Sequence, residues 1–128
     1  MSDKFTVEII SPDQTILKKE TSEVIIPSFE GQMGILNNHI PLITFLRPGI
    51  ITIKAEGEKK YYVEEGIVEF SNNNLLILTS TARDLADIDK SKINELLQKV
   101  EANFKTQSTD KERYAASYKL ETLKEISQ

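Results

Sequence analysis

The chain contains no cysteine. A disulfide framework, a thiolate nucleophile and a cysteine-based zinc site are all excluded, and the absence fits a reducing compartment. There is one histidine, His39, too few for a transition-metal site built on imidazoles. No apolar run approaches the roughly 18 residues that a spanning helix needs. The start, Met1 to Glu8, lacks the basic and apolar regions of a secretory signal. These absences predict a soluble protein that reaches a membrane only through partners. Positive charge is also short. The formal net charge is −4 with an isoelectric point near 5.1, which argues against nucleic acid, since that partner needs a basic face to displace counterions.

What is present falls into two parts. The 128 residues suggest one domain, or one domain with an appendage. All five glycines and four prolines lie before residue 84. There, Phe5, Val7 and Ile9 alternate with Thr6 and Glu8, the period of a half-buried strand. Ser11-Pro12-Asp13-Gln14 reads as a turn. Further strands are expected at Thr15–Leu17, at Glu23–Ile26 (ended by Pro27) and at Leu42–Leu46. Arg47-Pro48-Gly49 is a strong turn signal, and Ile50–Ala55, Lys60–Glu64, Ile67–Phe70 and Leu75–Thr79 complete the series. Many short strands with such breaks predict a β-sandwich or flattened barrel. Ser28–Asn38 reads as its one long loop. Tyr61 and Tyr62 fall on opposite faces of one strand, so one is expected in the core and the other at the surface.

After residue 84 the period becomes helical. Ile93, Leu96, Leu97, Val100 and Phe104 make one stripe. Asp89 is placed as an N-cap, with Ile88 and Ile93 as a hydrophobic staple. Thr109-Asp110-Lys111-Glu112 reads as a capping box opening a second helix, whose apolar face carries Ala115, Ala116, Leu120, Leu123 and Ile126. A link of about four residues, Lys105–Ser108, makes the helices antiparallel neighbours. The fold expected is thus a β-sandwich over 1–84 followed by an antiparallel two-helix hairpin over 85–128. Residues 1–86 hold eight Lys/Arg against twelve Asp/Glu, and residues 87–128 hold eight of each. The hairpin is therefore highly charged but balanced, with Glu95–Lys99 and Glu101–Lys105 in the favourable i,i+4 order.

The chemistry hypotheses centre on Glu30-Gly31-Gln32-Met33-Gly34 and His39. His39 could serve as a general base with Ser28 and Glu30 nearby, but no nucleophile motif accompanies it. The G-x-x-G at Gly31 and Gly34 lacks the basic setting of an RNA-binding loop and the G-x-G-x-x-G of a dinucleotide site. The plain reading is that both glycines occupy positive-φ positions in a compact loop. Met33 at the tip of that loop would then mark a partner contact.

The run Pro27 to Gly49 carries Pro27, Gly31, Gly34, Leu36, His39, Pro41, Leu42, Pro48 and Gly49 in the spacing P-x-x-x-G-x-x-G-x-L-x-x-H-x-P-L followed by P-G. It resembles the epsilon subunit of bacterial F-type ATP synthases. Tyr62–Phe70, with Gly66 and Glu69, is similar to a second block of that family. Val7–Pro12 and Asp87-Ile88-Asp89 also fit, so the resemblance spans the chain. It implies a ten-strand sandwich followed by a helical hairpin. The implied role is that of a non-catalytic rotor subunit, bound to gamma and seated on the membrane-embedded c ring at the cytoplasmic face of the bacterial inner membrane. Gln32, Met33 and His39 become candidate c-ring contacts, and Gly31, Gly34, Pro41, Pro48 and Gly49 the residues that shape the loop. Gamma contacts are placed no more closely than Pro27–Phe29 and one sandwich face. The hairpin, packed through Ile93, Leu96, Leu97, Val100, Phe104, Ala116, Leu120 and Leu123, is implied to be a switch that reaches the alpha and beta subunits when extended. Lys111, Arg113, Lys119 and Lys124 are the candidate contacts to the head.

Some members of that family bind ATP through I/L-D-x-x-R-A at the first helix start. The matching positions here are Ile88, Asp89, Lys92 and Ile93. Lysine lacks the bidentate fork of arginine, so ATP binding is expected to be weak or absent and no cofactor is expected. A β-sandwich adaptor unrelated to ATP synthase, and a small hydrolase using His39, are the alternatives.

Overall fold

The computed structural model describes residues 4–106 and 110–127, with side chains at 4–102 and 114–126. The chain divides into two compact units, the first ending at Leu85 and the second beginning at Ala86. The first unit holds ten strands: β1 (Phe5–Ile10), β2 (Thr15–Thr21), β3 (Glu23–Ser28), β4 (Gly31–Leu36), β5 (Leu42–Leu46), β6 (Gly49–Lys54), β7 (Glu58–Val63), β8 (Gly66–Ser71), β9 (Asn74–Leu78) and β10 (Arg83–Asp84). They pair in the order β10-β7-β6-β3-β5-β8-β9-β1-β2, with β4 added on β3. All pairs are antiparallel except β1 with β9. The path turns a corner where Ser28 of β3 pairs with Leu46 of β5, so the sheet folds over itself into a sandwich around one core.

Alternation builds that core. Phe5, Val7 and Ile9 are buried from β1, Val24 and Ile26 from β3, Ile51 and Ile53 from β6, and Leu75 and Ile77 from β9. Phe5 meets Phe70 edge to face with ring centroids 5.6 Å apart. Each such β-branched or aromatic side chain contributes about 1.5–3 kcal/mol by leaving water.

Several sequence expectations are corrected. Ser28–Asn38 is no loop but most of a tight hairpin, with Phe29-Glu30 as its tip and Gly31, Gln32, Met33 and Gly34 inside β4. Gly31 does take a positive φ of 122°, whereas Gly34 does not. Met33 is not at a tip; it packs, half-buried, against the core. Strand β3 runs through Pro27 to Ser28 rather than stopping at Pro27, and β2 extends to Thr21. Proline is accommodated because Pro27 needs no N–H toward β4, and its carbonyl accepts the Arg47 N–H at 2.9 Å. Tyr61 and Tyr62 are both buried, at 2% and 1% exposure. Tyr61 lies in the core, while Tyr62, on the other pleat, stands opposite Arg83 of β10 and donates its hydroxyl to Glu64 at 3.1 Å.

A 3-10 turn at Leu85–Asp87 precedes helices α1 (Lys90–Thr106) and α2 (Asp110–Ser127), which pack on each other as a hairpin. Ile93 and Val100 of α1 and Ala116 and Leu123 of α2 are buried, and Leu96, Leu97 and Leu120 are half-buried. Tyr114 and Tyr118 meet edge to face at 4.8 Å. The side chains of Phe104, Lys111 and Arg113, and those of the capping box at 109–112, lie outside the described residues.

Candidate interaction surface

Pro27 and Gly49 belong to one contact. A Cβ on Gly49 would stand 2.5 Å from the Pro27 Cβ and 2.9 Å from its Cγ. Only glycine lets the start of β6 pass under the proline ring. Phe29 N–H donates to the Phe45 carbonyl at 3.1 Å, and Arg47 N–H to the Pro27 carbonyl. The end of β3 and the β5–β6 turn are thereby interlocked. Gly66 is held as tightly, since a Cβ there would meet the Leu78 carbonyl at 2.7 Å. Gly34 differs: its nearest neighbour would be the flexible Glu23 carboxylate at 3.4 Å.

The opposite end of the sandwich carries an asparagine clamp. Asn38, Asn72 and Asn73 all take positive φ, 63°, 52° and 55°, which asparagine tolerates better than other side-chain-bearing residues. Asn73 Oδ1 accepts the Asn38 N–H at 2.7 Å, and its Nδ2 donates to Asn37 Oδ1 and Asn38 Oδ1, each at 3.0 Å. The clamp ties the segment after β4 to the β8–β9 turn. Just beyond it His39 lies edge-on to Phe70 at 5.8 Å. Its Nδ1 is 2.7 Å from the Ile40 carbonyl, which can only accept, so Nδ1 carries the proton there.

This geometry does not assemble a catalytic triad. Ser28 is buried at the hairpin end of β4, donating to the Gly31 carbonyl at 2.7 Å, whereas His39 follows the other end of the same strand. Gln32, Met33 and His39 likewise do not form one patch. Gln32 and Met33 point to opposite faces of β4, and His39 lies past its end. Pro41 sits between the clamp and β5, and Pro48 in the β5–β6 turn.

What the structure does bring together is an apolar outer face on β5, β8 and β9. Phe45 stands opposite Ile67, Ile67 opposite Leu78, and Leu78 opposite Ile10. Phe45 is 54% exposed, Ile67 43%, Leu78 43%, and Ile43, on the same face of β5, 72%. Phe29, also exposed, adjoins Phe45 through the backbone bond. Two open hollows border the face. One, of about 480 Å³, lies by Ile10, Pro12 and Leu78, and the other, of about 350 Å³, by Pro41, Ile43 and Glu69. Contiguous exposed side chains of this kind mark an interaction site.

The model of the ATP synthase delta/epsilon chain β-sandwich domain matches residues 4–84. The chain belongs to the ATP synthase epsilon family. It is 50% identical to the ATP synthase epsilon chain of Pelagibacter ubique, covering 99% of this chain and 100% of that one. It is 33% identical to the epsilon chain of Afipia carboxidovorans, over 97% and 92% of the two chains. Among solved structures, a chain of the Euglena gracilis mitochondrial ATP synthase, in an assembly of OSCP, F1 and c ring, aligns with a TM-score of 0.76 at 26% identity. That alignment covers 97% of this chain and 79% of that one. A chain of the Tetrahymena thermophila central stalk and c ring has the same fold, with a TM-score of 0.70 at 17% identity over 96% of each chain. The unrelated adaptor and the His39 hydrolase give way to an epsilon chain, a subunit of a multisubunit complex.

The epsilon family's nucleotide-motif positions have structural duties here. Asp89 Oδ1 accepts the Lys92 N–H at 2.8 Å and the Ser91 hydroxyl at 2.9 Å, the N-cap expected of it. Those two bonds hold the Asp89 carboxyl below its ordinary value. The Lys92 ammonium lies 3.9 Å from Glu95, Ile93 is buried and Ile88 is half-buried. Of the candidate head contacts, Lys119 is half-buried, Lys124 is exposed, and both are engaged in interactions within the chain.

Proposed function

We propose that this chain is a non-catalytic central-stalk subunit of a proton-translocating F-type ATP synthase. It passes c-ring rotation through gamma to ATP synthesis in the alpha/beta head. The observation that carries the docking part of this reading is the apolar face Ile43, Phe45, Ile67 and Leu78, an exposed row on a sandwich whose other large apolar side chains are mostly inside. That face receives gamma. The clamp end, with His39 and the 74% exposed Ile40, faces the c ring, whereas exposed Gln32 lies beside the hairpin tip at the other end of β4. Met33 packs against the sandwich core in the hairpin half of β4. The chain sits at the cytoplasmic face of the bacterial inner membrane through these partners; no helix among the described residues is long and apolar enough to cross.

The test is a pull-down of gamma by the full chain, compared with the Phe45→Glu/Ile67→Glu double variant. Wild type captures gamma at micromolar concentration and the variant loses at least tenfold in affinity with an unchanged unfolding midpoint. Equal capture by both would remove the face from the interface, and no capture by either would remove the stalk role.

ATP binding by the isolated chain is weak or absent on this reading. Lys92 offers one point charge, already beside Glu95, and Asp89 is spent on the helix cap. Titration yielding a micromolar ATP dissociation constant would overturn this.

A further inference from the structure

The asparagine clamp holds more than a turn requires. Asn38 and Asn73 both take positive φ, a conformation that glycine meets without strain. Asparagine stands there instead, and its side chain is used. Asn73 Oδ1 accepts the Asn38 N–H, and Asn73 Nδ2 donates to Asn37 Oδ1 and Asn38 Oδ1, across 35 and 36 residues of sequence. The Asn73 carbonyl in turn accepts the Thr6 N–H at 3.2 Å. The clamp is therefore anchored on β1 as well as on the β8–β9 turn.

What the clamp holds is the short irregular segment 37–41 between β4 and β5. The other bonds on that segment are local. His39 N–H donates to the Leu36 carbonyl at 3.1 Å, and His39 Nδ1 to the Ile40 carbonyl at 2.7 Å. The His39 ring rests edge-on against Phe70, a core side chain. Pro41 restricts the backbone of Ile40 before it. Ile40 is thus fixed on both sides, yet its side chain is 74% exposed. An untethered segment would lower its free energy by folding so large an apolar side chain onto the protein. The clamp keeps it outward.

We infer that Asn73 is a positioning residue, which through the clamp holds Ile40 ready for the partner that this end of the sandwich meets in the assembled complex. This rests on the stalk reading above, in which that partner is the c ring. Asn73 acts without touching the partner. A contact side chain held in its bound form in advance removes part of the ordering cost of association. Asn73 therefore sets affinity through Ile40, although it lies in a different turn and far along the chain.

The test is a double-mutant cycle on uptake of the full chain by ATP synthase stripped of its own epsilon chain, read as the half-saturating concentration. Asn73→Gly keeps the positive φ and loses the three clamp bonds; Ile40→Ala removes the side chain they position. Uptake is expected to weaken about fivefold for Asn73→Gly, about tenfold for Ile40→Ala and still only about tenfold for both together, because without Ile40 nothing is left to position. An Asn73 that served stability alone would weaken uptake by the same factor in either background, about fiftyfold for the pair. That result overturns the inference. So does wild-type uptake of Ile40→Ala or of Asn73→Gly. Failure of the wild-type chain to enter the complex overturns the stalk reading and this inference together. Should Asn73→Gly misfold, Asn37→Ala with Asn38→Gly takes its place in the cycle. That pair removes both acceptors of Asn73 Nδ2 and keeps the positive φ at position 38, and the same outcomes decide.

Discussion

Gly49 and Gly34 sit in different surroundings, and substitution separates them. At Gly49 a methyl group would collide with the Pro27 ring, and both positions are pinned by the backbone. Gly49→Ala is expected to cost about 1–3 kcal/mol by overpacking. At Gly34 a Cβ would meet, among the described residues, only the Glu23 carboxylate, at 3.4 Å, so Gly34→Ala is expected to stabilise by up to about 1 kcal/mol by restricting the unfolded chain. Urea unfolding of the two variants checks this; equal losses would refute the reading of both sites. The clamp gives a matched prediction. Asn73→Gly keeps the positive φ but removes three side-chain hydrogen bonds, and is expected to cost about 1–2 kcal/mol, since each bond is partly solvent-exposed. The clamp was not legible in the sequence, because Asn73 lies far along the chain from Asn37 and Asn38 and each pair alone reads only as a turn. Tyr62 was misread for a related reason. Alternation says which pleat a side chain takes, not whether that pleat is covered. Burial, then the neighbouring Glu64 carboxylate, raise the Tyr62 hydroxyl well above its ordinary value of 10.0. A raised value stabilises the fold below pH 10, and that contribution is lost as the unfolded chain ionises above it. Stability is therefore expected to fall above pH 10 in wild type and less in Tyr62→Phe, as followed by urea midpoints against pH.

Among the elements, the most regular were the most legible. Strands β1 and β5 and the start of α1 follow from alternation and from Asp89. Strand β4 did not, because Gly31 and Gly34 are poor strand formers, and only pairing with β3 across Phe29-Glu30 makes the segment extended. The far half of β2 was hidden by Lys18, Lys19 and Glu20, whose charges suit an edge and erase the alternation. Strand β10 is too short for any period. The α1 cap carries a pH prediction. Bonds from the Lys92 N–H and the Ser91 hydroxyl favour the charged Asp89 carboxylate and lower its value below 3.8. A lowered value means that the cap's contribution is present above the ordinary carboxyl range and lost as pH falls through the lowered value. The first turn of α1 is expected to loosen on that acid limb, with faster exchange of the Lys92 amide. Asp89→Asn, which still caps, should flatten the dependence. A first turn equally acid-sensitive in Asp89→Asn would place the effect elsewhere.

For the whole molecule, the change of period near residue 84 was enough to read a sandwich followed by a helical hairpin. The apolar face was not readable, because Phe45, Ile67, Leu78 and Ile10 become neighbours only through the registers of four strands. The same distinction bears on regulation. The buried apolar cluster of the sandwich is drawn from the first unit's own strands, and the proposed gamma-binding face lies wholly in that unit. A chain ending at Leu85 is therefore expected to keep a cooperative unfolding transition and to support ATP synthesis in the assembled enzyme. Of the hairpin cations proposed to reach the head, Lys119 and Lys124 already interact within the chain, and the hairpin has no net charge. Extension toward an acidic head surface would thus give up those interactions for surface ion pairs, each worth about 0–1 kcal/mol. Truncation at Leu85 is accordingly expected to raise ATP hydrolysis by no more than about fivefold, the factor that one such pair supplies. Hydrolysis by the purified enzyme, with and without the truncation, measures it. A much larger rise would show that the hairpin is a strong brake, held by contacts stronger than surface ion pairs.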